Sequence, residues 1–451
     1  MMNELVKVKY TYLVCSVAAF GGLLFGYDTA VIAGAIGYLK LKFDLSPMLT
    51  GWAASSAIWG CIFGTLFAGR LSDKYGRKKV LLLSGLLFTI SALASAIPDN
   101  LTQFVIARFI GGLGVGSASM LSPLYISEIA PAKIRGMLVT LYQLAIVFGI
   151  NIIYIVNYLI VNAHGQEWNV QFGWRYMLGS EGIPAILFFL LLFFVPESPR
   201  WLVKENRSED ARKILNKINA LDQAHRILKE IKESVNEEKG SFVDLFKSGI
   251  RMAMIIGSTL ALFSQITGIN AIIYYAPEIF KQVGFGSESA LFQTMIIGFV
   301  NMFFTVVAIR LIDYLGRRTL LIWGVSGMIF CLFAMGLFFY FEISSGPLLL
   351  LFILGFIGSF ASSLGPIPWV MISEIFPTKV RGTAMSFSIV ILWLGVVLVT
   401  QFFPVLLDLF GGAYTFWIFM INALILLIFT LIIIPETKQK TLEEIQEIWK
   451  S

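Results

Sequence analysis

The sequence predicts an all-α polytopic membrane protein: twelve transmembrane helices in two six-helix halves, with short cytoplasmic helices. Three observations carry this. Of 451 residues, 57% are hydrophobic and 14% charged, with mean hydropathy +0.80, a balance foreign to soluble domains. Apolar windows of about 20 residues, the length of one bilayer crossing, recur along the chain. Charged strings at the borders of those windows occur twice. "GRLSDKYGRKK" (69–79) returns as "IRLIDYLGRRT" (309–319), "YISEIAPAKIRG" (125–136) as "MISEIFPTKVRG" (371–382), and "VPES" (195–198) as "IPET" (434–437). The three separations are nearly equal. The chain therefore reads as a parallel repeat, the arrangement in which one half rocks against the other.

The predicted spans are 10–38, 49–69, 79–97, 101–127, 134–162, 173–195, 248–282, 288–312, 319–341, 346–374, 379–409 and 412–434. Tilt absorbs the excess length of the longer ones. The first window is too long for a secretory signal peptide and runs on into further spans. Lys and Arg crowd 69–79 and the stretch from Pro196 to Lys247, while Pro98–Asn100, Asn162–Gly173 and Asp408–Gly412 hold almost none. Basic residues gather on the cytoplasmic side. Both termini and the central stretch are thus expected in the cytoplasm, and the protein in the inner (plasma) membrane.

The domains expected are an N-terminal half (1–195), a cytoplasmic helical linker (196–247), a C-terminal half (248–434) and a cytoplasmic C-terminal helix (435–451). In the linker, Ala211, Ile214, Leu215, Ile218 and Leu221 recur at helical spacing. Asn206 with Glu209 is the expected cap. After the last span, Thr441 and Glu444 form a capping-box pattern ahead of Ile445 and Ile448. These helices are expected to brace the cytoplasmic face.

Each repeated string mixes acids with arginine at a cytoplasmic span end: Asp73 with Arg77, Glu128 with Arg135, Asp313 with Arg317, Glu374 with Arg381, and Glu197 and Glu436 in the short strings. Topology alone accounts for the basic residues but not for the matched acids. A charge lattice that closes the inner face in one state accounts for both. Exposed pairs contribute only about 0–1 kcal/mol each. Several together can bias two states separated by a few kcal/mol.

Other chemistries find little support. Cys15, Cys61 and Cys331 lie in apolar windows without CxxC spacing, and His164 and His225 fall in predicted loops. No HExxH, GxSxG or Walker string occurs, so an enzyme, a metal site and a cofactor are not expected. The net charge of +6 fits cytoplasmic loops and requires no nucleic acid.

The combined strings, with "PESPRW", "SEIFPTKVRG" and "PETK" in that order, resemble the sugar porter family of the major facilitator superfamily across essentially the whole chain. "GGLLFGYDTAVIAG", "GWRYMLGSEGIPAILF" and "GINAIIYYAPEIF" look most similar to its bacterial, proton-coupled, xylose-carrying members. The resemblance implies a monosaccharide transporter working by alternating access, with a pentose or hexose such as D-xylose or D-glucose.

Strongly polar side chains inside the spans are few. Gln143 lies in span five, Gln265 and Asn270 in span seven and Asn301 in span eight; Trp369 follows "GPIP" in span ten and Trp393 lies in span eleven. Such groups face a bundle interior or an aqueous cavity. Amides donate and accept, which suits a neutral polyol. Each alone serves equally as packing glue between helices. The resemblance places Gln143, Gln265, Asn270, Asn301, Trp369, Phe25 and Tyr274 at the sugar, with Trp393 close by. Ser264, Leu392 and Ile150 stand where family members often carry a polar group, which leaves the pocket less polar. "GPIP" reads as a hinge or as a static kink.

Asp28 interrupts the first span in "LLFGYDTAVIAG", and Arg108 interrupts the fourth in "VIARFIGGLGVG". Counted from the outer ends at about 1.5 Å per residue, their depths agree within roughly 5 Å, so the two can pair. Beside Arg108 the carboxylate stays ionised; moved away into low dielectric it takes a proton. A static ion pair is the plainer alternative. The resemblance to proton-coupled members favours symport, with Glu181 of span six as a relay. The expected partners are a neutral monosaccharide, protons and the lipid bilayer, with function as a monomer. A proton-independent uniporter and a transporter-like sugar sensor are the competing readings.

Overall fold

The computed structural model describes residues 2–131, 134–219, 221–235, 250–343, 345–376, 380–436 and 438. Among them every regular element is a helix. The first five spans are single helices: Met2–Phe43, Pro47–Tyr75, Arg77–Ser95, Leu101–Ile129 and Arg135–Ala163. Span six (Gln166–Phe194) passes through a π turn at Asn169–Gly173. Span seven breaks into Arg251–Ile266 and Ile269–Gln282, and span ten into Gly346–Ala361 and Ile367–Glu374. Spans eight and nine are Ser287–Leu315 and Arg317–Tyr340. Spans eleven and twelve share the helical run Arg381–Ile432, divided where Gly411 leaves helical geometry at φ 71°. The helices outrun the predicted windows at several ends because charged residues continue the hydrogen-bond ladder beyond the apolar core.

Local sequence fixes several of these ends. Ser46 accepts from Leu49 N ahead of Pro47, and Asn100 accepts from Gln103 N, each satisfying a free donor of a helix start. Spans two and four meet through small residues. A Cβ added to Gly60 or Gly64 would strike the backbone at Phe109 or Leu113, and one added to Gly112 or Gly116 would strike Ala57 or Cys61. The two small-xxx-small stripes let the backbones touch, the main route to helix association where lipid removes the hydrophobic drive. The outward faces carry Phe67, Phe194, Phe303 and Phe330, all strongly exposed, as suits a lipid solvent.

Among its described residues the linker forms three helices, Pro199–Lys204, Ser208–Ile218 and Leu221–Val235. Trp201, Leu202, Val203 and Ala211 make a small apolar cluster with Ile214, Leu228 and Ile231. It braces the bundle: Trp201 Nε1 donates to Asp73 O at the end of span two. Two expectations are corrected here. Asn206 is not the cap; it takes a left-handed conformation at φ 60°, and Arg207 stands at the cap position. The apolar stripe does not run on through Leu221, because that residue opens the next helix. The Thr441–Ile448 helix lies outside the described residues.

Candidate functional site

A cavity of about 130 Å³ is lined by residues of both halves. A single water needs roughly 10–15 Å³ on this scale, so the space suits a small organic molecule. The structure brings all eight expected residues to its wall: Phe25, Gln143, Gln265, Asn270, Tyr274, Asn301, Trp369 and Trp393. Among the described residues no lining side chain carries a charge.

The helix breaks create this wall. Gly268 at φ 96° ends the first half of span seven and caps the second. Gln265 and Asn270 would point apart on an unbroken helix; across the break Asn270 Nδ2 donates to Gln265 Oε1 at 2.6 Å. The break in span ten covers residues 362–366, and Leu364, Gly365 and Trp369 from it and the following turn reach the cavity. Its backbone is re-satisfied locally, with Ser363 N and Gly365 N both donating to Phe360 O. Phe25 and Trp393 close one side, ring centroids 5.4 Å apart.

Sequence reasoning missed Thr29, Thr305 and the role of Ser264 in this wall. Thr29 and Thr305 hydroxyls return to the carbonyls of Phe25 and Asn301 four residues back. A hydroxyl satisfied within its own helix leaves no signal in the sequence.

Directly behind the wall, one residue before Thr29, lies Asp28. Arg108 donates from Nη1 to Asp28 Oδ1 (2.5 Å) and from Nη2 to Asp28 O (2.8 Å). Both side chains are at most 2% exposed. Such a pair is costly to desolvate, and removing one partner costs about 3–5 kcal/mol because a bare charge stays behind. Glu181 is buried beside Asp28, and its Oε1 has no hydrogen-bond partner among the described residues.

At the end of the bundle that carries the repeated strings, Arg77 makes a bidentate pair with Glu128, both contacts 3.0 Å, and bonds Asp73 at 3.0 Å. Glu128 thus pairs with Arg77, not with Arg135, whose Nε reaches the Ala130 carbonyl. The Arg77 fork crosses between span ends, which no sequence neighbour reveals. Glu197 and Glu436 also depart from the expected lattice. Glu197 accepts from the backbone N–H of Arg77, Lys78 and Ser198, and Glu436 from that of Arg317, Arg318 and Lys438. Each carboxylate caps the first turn of the third span of its half, where free donors and the helix dipole favour an anion. Gly76 and Gly316 open these turns at φ 100° and 93°, leaving room that a Cβ would take from the carboxylates. Burial pushes the Glu197 carboxyl above its ordinary range, against the backbone donors that lower it. The side chains of Asp313, Glu374 and Arg381 lie outside the described residues.

At the opposite end, side chains tie the halves together. Ser55 Oγ donates to Gln401 Oε1 at 2.6 Å, and Gln401 Nε2 donates to Met48 O at 3.1 Å. Nearer the cavity, whose wall includes Ile273, Asn151 Nδ2 donates to Gly298 O at 3.0 Å and the Tyr154 hydroxyl to Ile273 O at 2.8 Å. Sequence reasoning missed these residues, although Asn151 is an intramembrane amide of the kind it sought.

The chain matches the sequence model of the family described as sugar (and other) transporter over residues 14–449. It is 46% identical over 444 residues to the arabinose-proton symporter of Bacillus subtilis (strain 168), covering 98% of this chain and 96% of that protein. It is 40% identical over 481 residues to the D-xylose-proton symporter of Escherichia coli (strain K12), covering 100% and 98%. Among solved structures it resembles the partially occluded inward open conformation of the xylose transporter XylE from E. coli, with TM-score 0.87, 40% identity and coverage of 96% and 100%. It also resembles that protein bound to 6-bromo-6-deoxy-D-glucose, with TM-score 0.82, 40% identity and coverage of 98% and 99%.

Proposed function

Because the chain belongs to the sugar transporter family, we propose that this membrane-embedded carrier moves a neutral monosaccharide together with protons, with D-xylose or a related pentose as the first substrate to test. One arrangement carries the reading: a charge-free, amide-lined cavity with the buried Asp28–Arg108 pair directly behind its wall. Amide and indole groups match hydroxyls that donate and accept, and no fixed charge is present to demand an ion. The carboxylate is the group that can take up the coupled proton once Arg108 moves away. Arg108 pairs with it in the present state, and Glu181 offers a neighbouring acid for relay. No catalytic residue is needed, and family membership sets the enzyme reading aside.

The reading includes a topology. The string-bearing end faces the cytoplasm with both termini, and the chain divides into halves at 1–195 and 248–434 joined by the linker 196–247. The carrier works as a monomer in the plasma membrane. Uptake of labelled pentoses and hexoses into liposomes, with and without an imposed pH gradient, tests it. Concentrative uptake of at least one neutral sugar under an inward proton gradient is expected. Equal uptake with and without the gradient would reduce the carrier to a uniporter.

The ties at the far end support an inward-facing state, since they hold the two halves together on the side away from the basic loops. Gln401→Leu removes the ties to Ser55 and Met48. Neutral bonds contribute about 0.5–1.5 kcal/mol each, so losing two, about 1–3 kcal/mol together, should raise the outward-open to inward-open ratio roughly 5- to 150-fold. Spin labels at Ile97 and Leu409, both exposed, read this as a gain of longer distances. An unchanged distribution would make the ties incidental to the equilibrium.

A further inference from the structure

Ser264 occupies a position where a more polar side chain was expected, yet it sits in the cavity wall at 1% exposure and touches the amide that matters most. Its hydroxyl donates to Ala261 O at 2.8 Å. A serine has one O–H, so with that proton committed to a carbonyl, Oγ can only accept from anything else. Gln265 therefore turns its NH₂ toward Ser264, with Nε2 to Oγ at 3.0 Å. Its carbonyl then faces the other way, and only a donor can meet it. Asn270 supplies one, Nδ2 to Oε1 at 2.6 Å. The chain of donors is fixed from end to end, starting at a backbone carbonyl that cannot reverse.

What is left over is also fixed. Gln265 keeps one N–H, and Asn270 keeps its Oδ1 and one N–H. A donor and an acceptor thus stand side by side on the cavity wall. Without Ser264 the Gln265 amide could rotate by half a turn, Asn270 could follow, and the same wall would present the opposite pattern.

We propose that Ser264 is a positioning residue that locks the Gln265–Asn270 pair into one polarity, so that the pair reads two neighbouring sugar hydroxyls, one accepting from Gln265 and the next donating to Asn270. This rests on the reading of the cavity as the sugar site. The substrate class it selects is a pyranose with adjacent free hydroxyls at that wall. A fluorine in place of a hydroxyl can still accept but cannot donate. It is tolerated opposite the free Gln265 N–H and rejected opposite Asn270 Oδ1, where the acceptor would face another acceptor.

The test is competition of D-xylose and its 2-, 3- and 4-monodeoxyfluoro analogues against labelled D-xylose, on purified wild type, Ser264→Ala and Ser264→Thr with matching melting temperatures. Wild type should accept fluorine at one ring position within about threefold and lose about tenfold or more at the adjacent one. Ser264→Ala should weaken D-xylose about three- to tenfold and shrink the contrast between those positions to about threefold or less. Ser264→Thr, which keeps the hydroxyl, should retain the contrast. Wild-type affinity and undiminished contrast in Ser264→Ala would overturn the role of Ser264. So would loss of contrast in Ser264→Thr to the same degree as in Ser264→Ala. Failure of wild type to bind any sugar of the panel would instead overturn the sugar-site reading beneath it.

Discussion

Liposomes carrying Asp28→Asn should exchange sugar for sugar and yet fail to accumulate it under an imposed pH gradient. Asparagine is nearly isosteric with a protonated aspartic acid, so the variant is held permanently in the loaded form. Exchange needs only reorientation of the sugar-loaded carrier, with no proton released. Accumulation needs the proton to leave on the far side, and an amide cannot give one up. The cavity residues Gln265, Asn270 and Asn301 are untouched, and binding should stay close to wild type. Arg108 is left as a buried charge with only the neutral side chain and the Asp28 carbonyl as partners, which lowers stability. Asp28→Asn paired with Arg108→Gln removes that penalty and should show the same split between exchange and accumulation. Full pH-driven accumulation by Asp28→Asn would leave the pair as a structural bridge.

Gln265→Ala and Trp369→Ala should each weaken sugar binding by about 1–3 kcal/mol, roughly 5- to 150-fold in Kd. Gln265→Ala removes a ligand donor and also strips Asn270 Nδ2 of its acceptor. Trp369→Ala removes a flat apolar wall next to the span-ten break, where the sugar's C–H face would lie. Equilibrium binding of labelled sugar separates these effects from turnover. Wild-type affinity in both variants would contradict the assignment of the cavity.

Much of this was legible in the sequence because membranes penalise polar groups so heavily. Asp28, Arg108 and the span amides stood out against apolar runs, and the depth count from the span ends brought Asp28 to Arg108 as the 2.5 Å contact does. The repeated strings contain Gly76 and Gly316, but only the structure shows their matched turns. Other features were hidden for physical reasons. The partner of Glu128 depends on how span ends converge, and a nearby Arg135 in the same string is a poor guide to that. The capping by Glu197 and Glu436 uses backbone N–H groups, which every sequence has and none displays. Ser264 reads as a lost polar side chain until the direction of its hydrogen bond is known. Gln401 is an amide inside span eleven that sequence reasoning passed over, and its importance arises only when the two halves meet.

The most direct test of proton-coupled sugar entry is the pH outside vesicles at the moment sugar is added, with no gradient imposed. In lightly buffered liposomes containing the wild-type carrier, D-xylose should raise the external pH as protons enter with it. A protonophore should abolish the signal, and Asp28→Asn should give none while still exchanging labelled sugar. Entry of D-xylose at the wild-type rate with a flat pH trace would contradict the account.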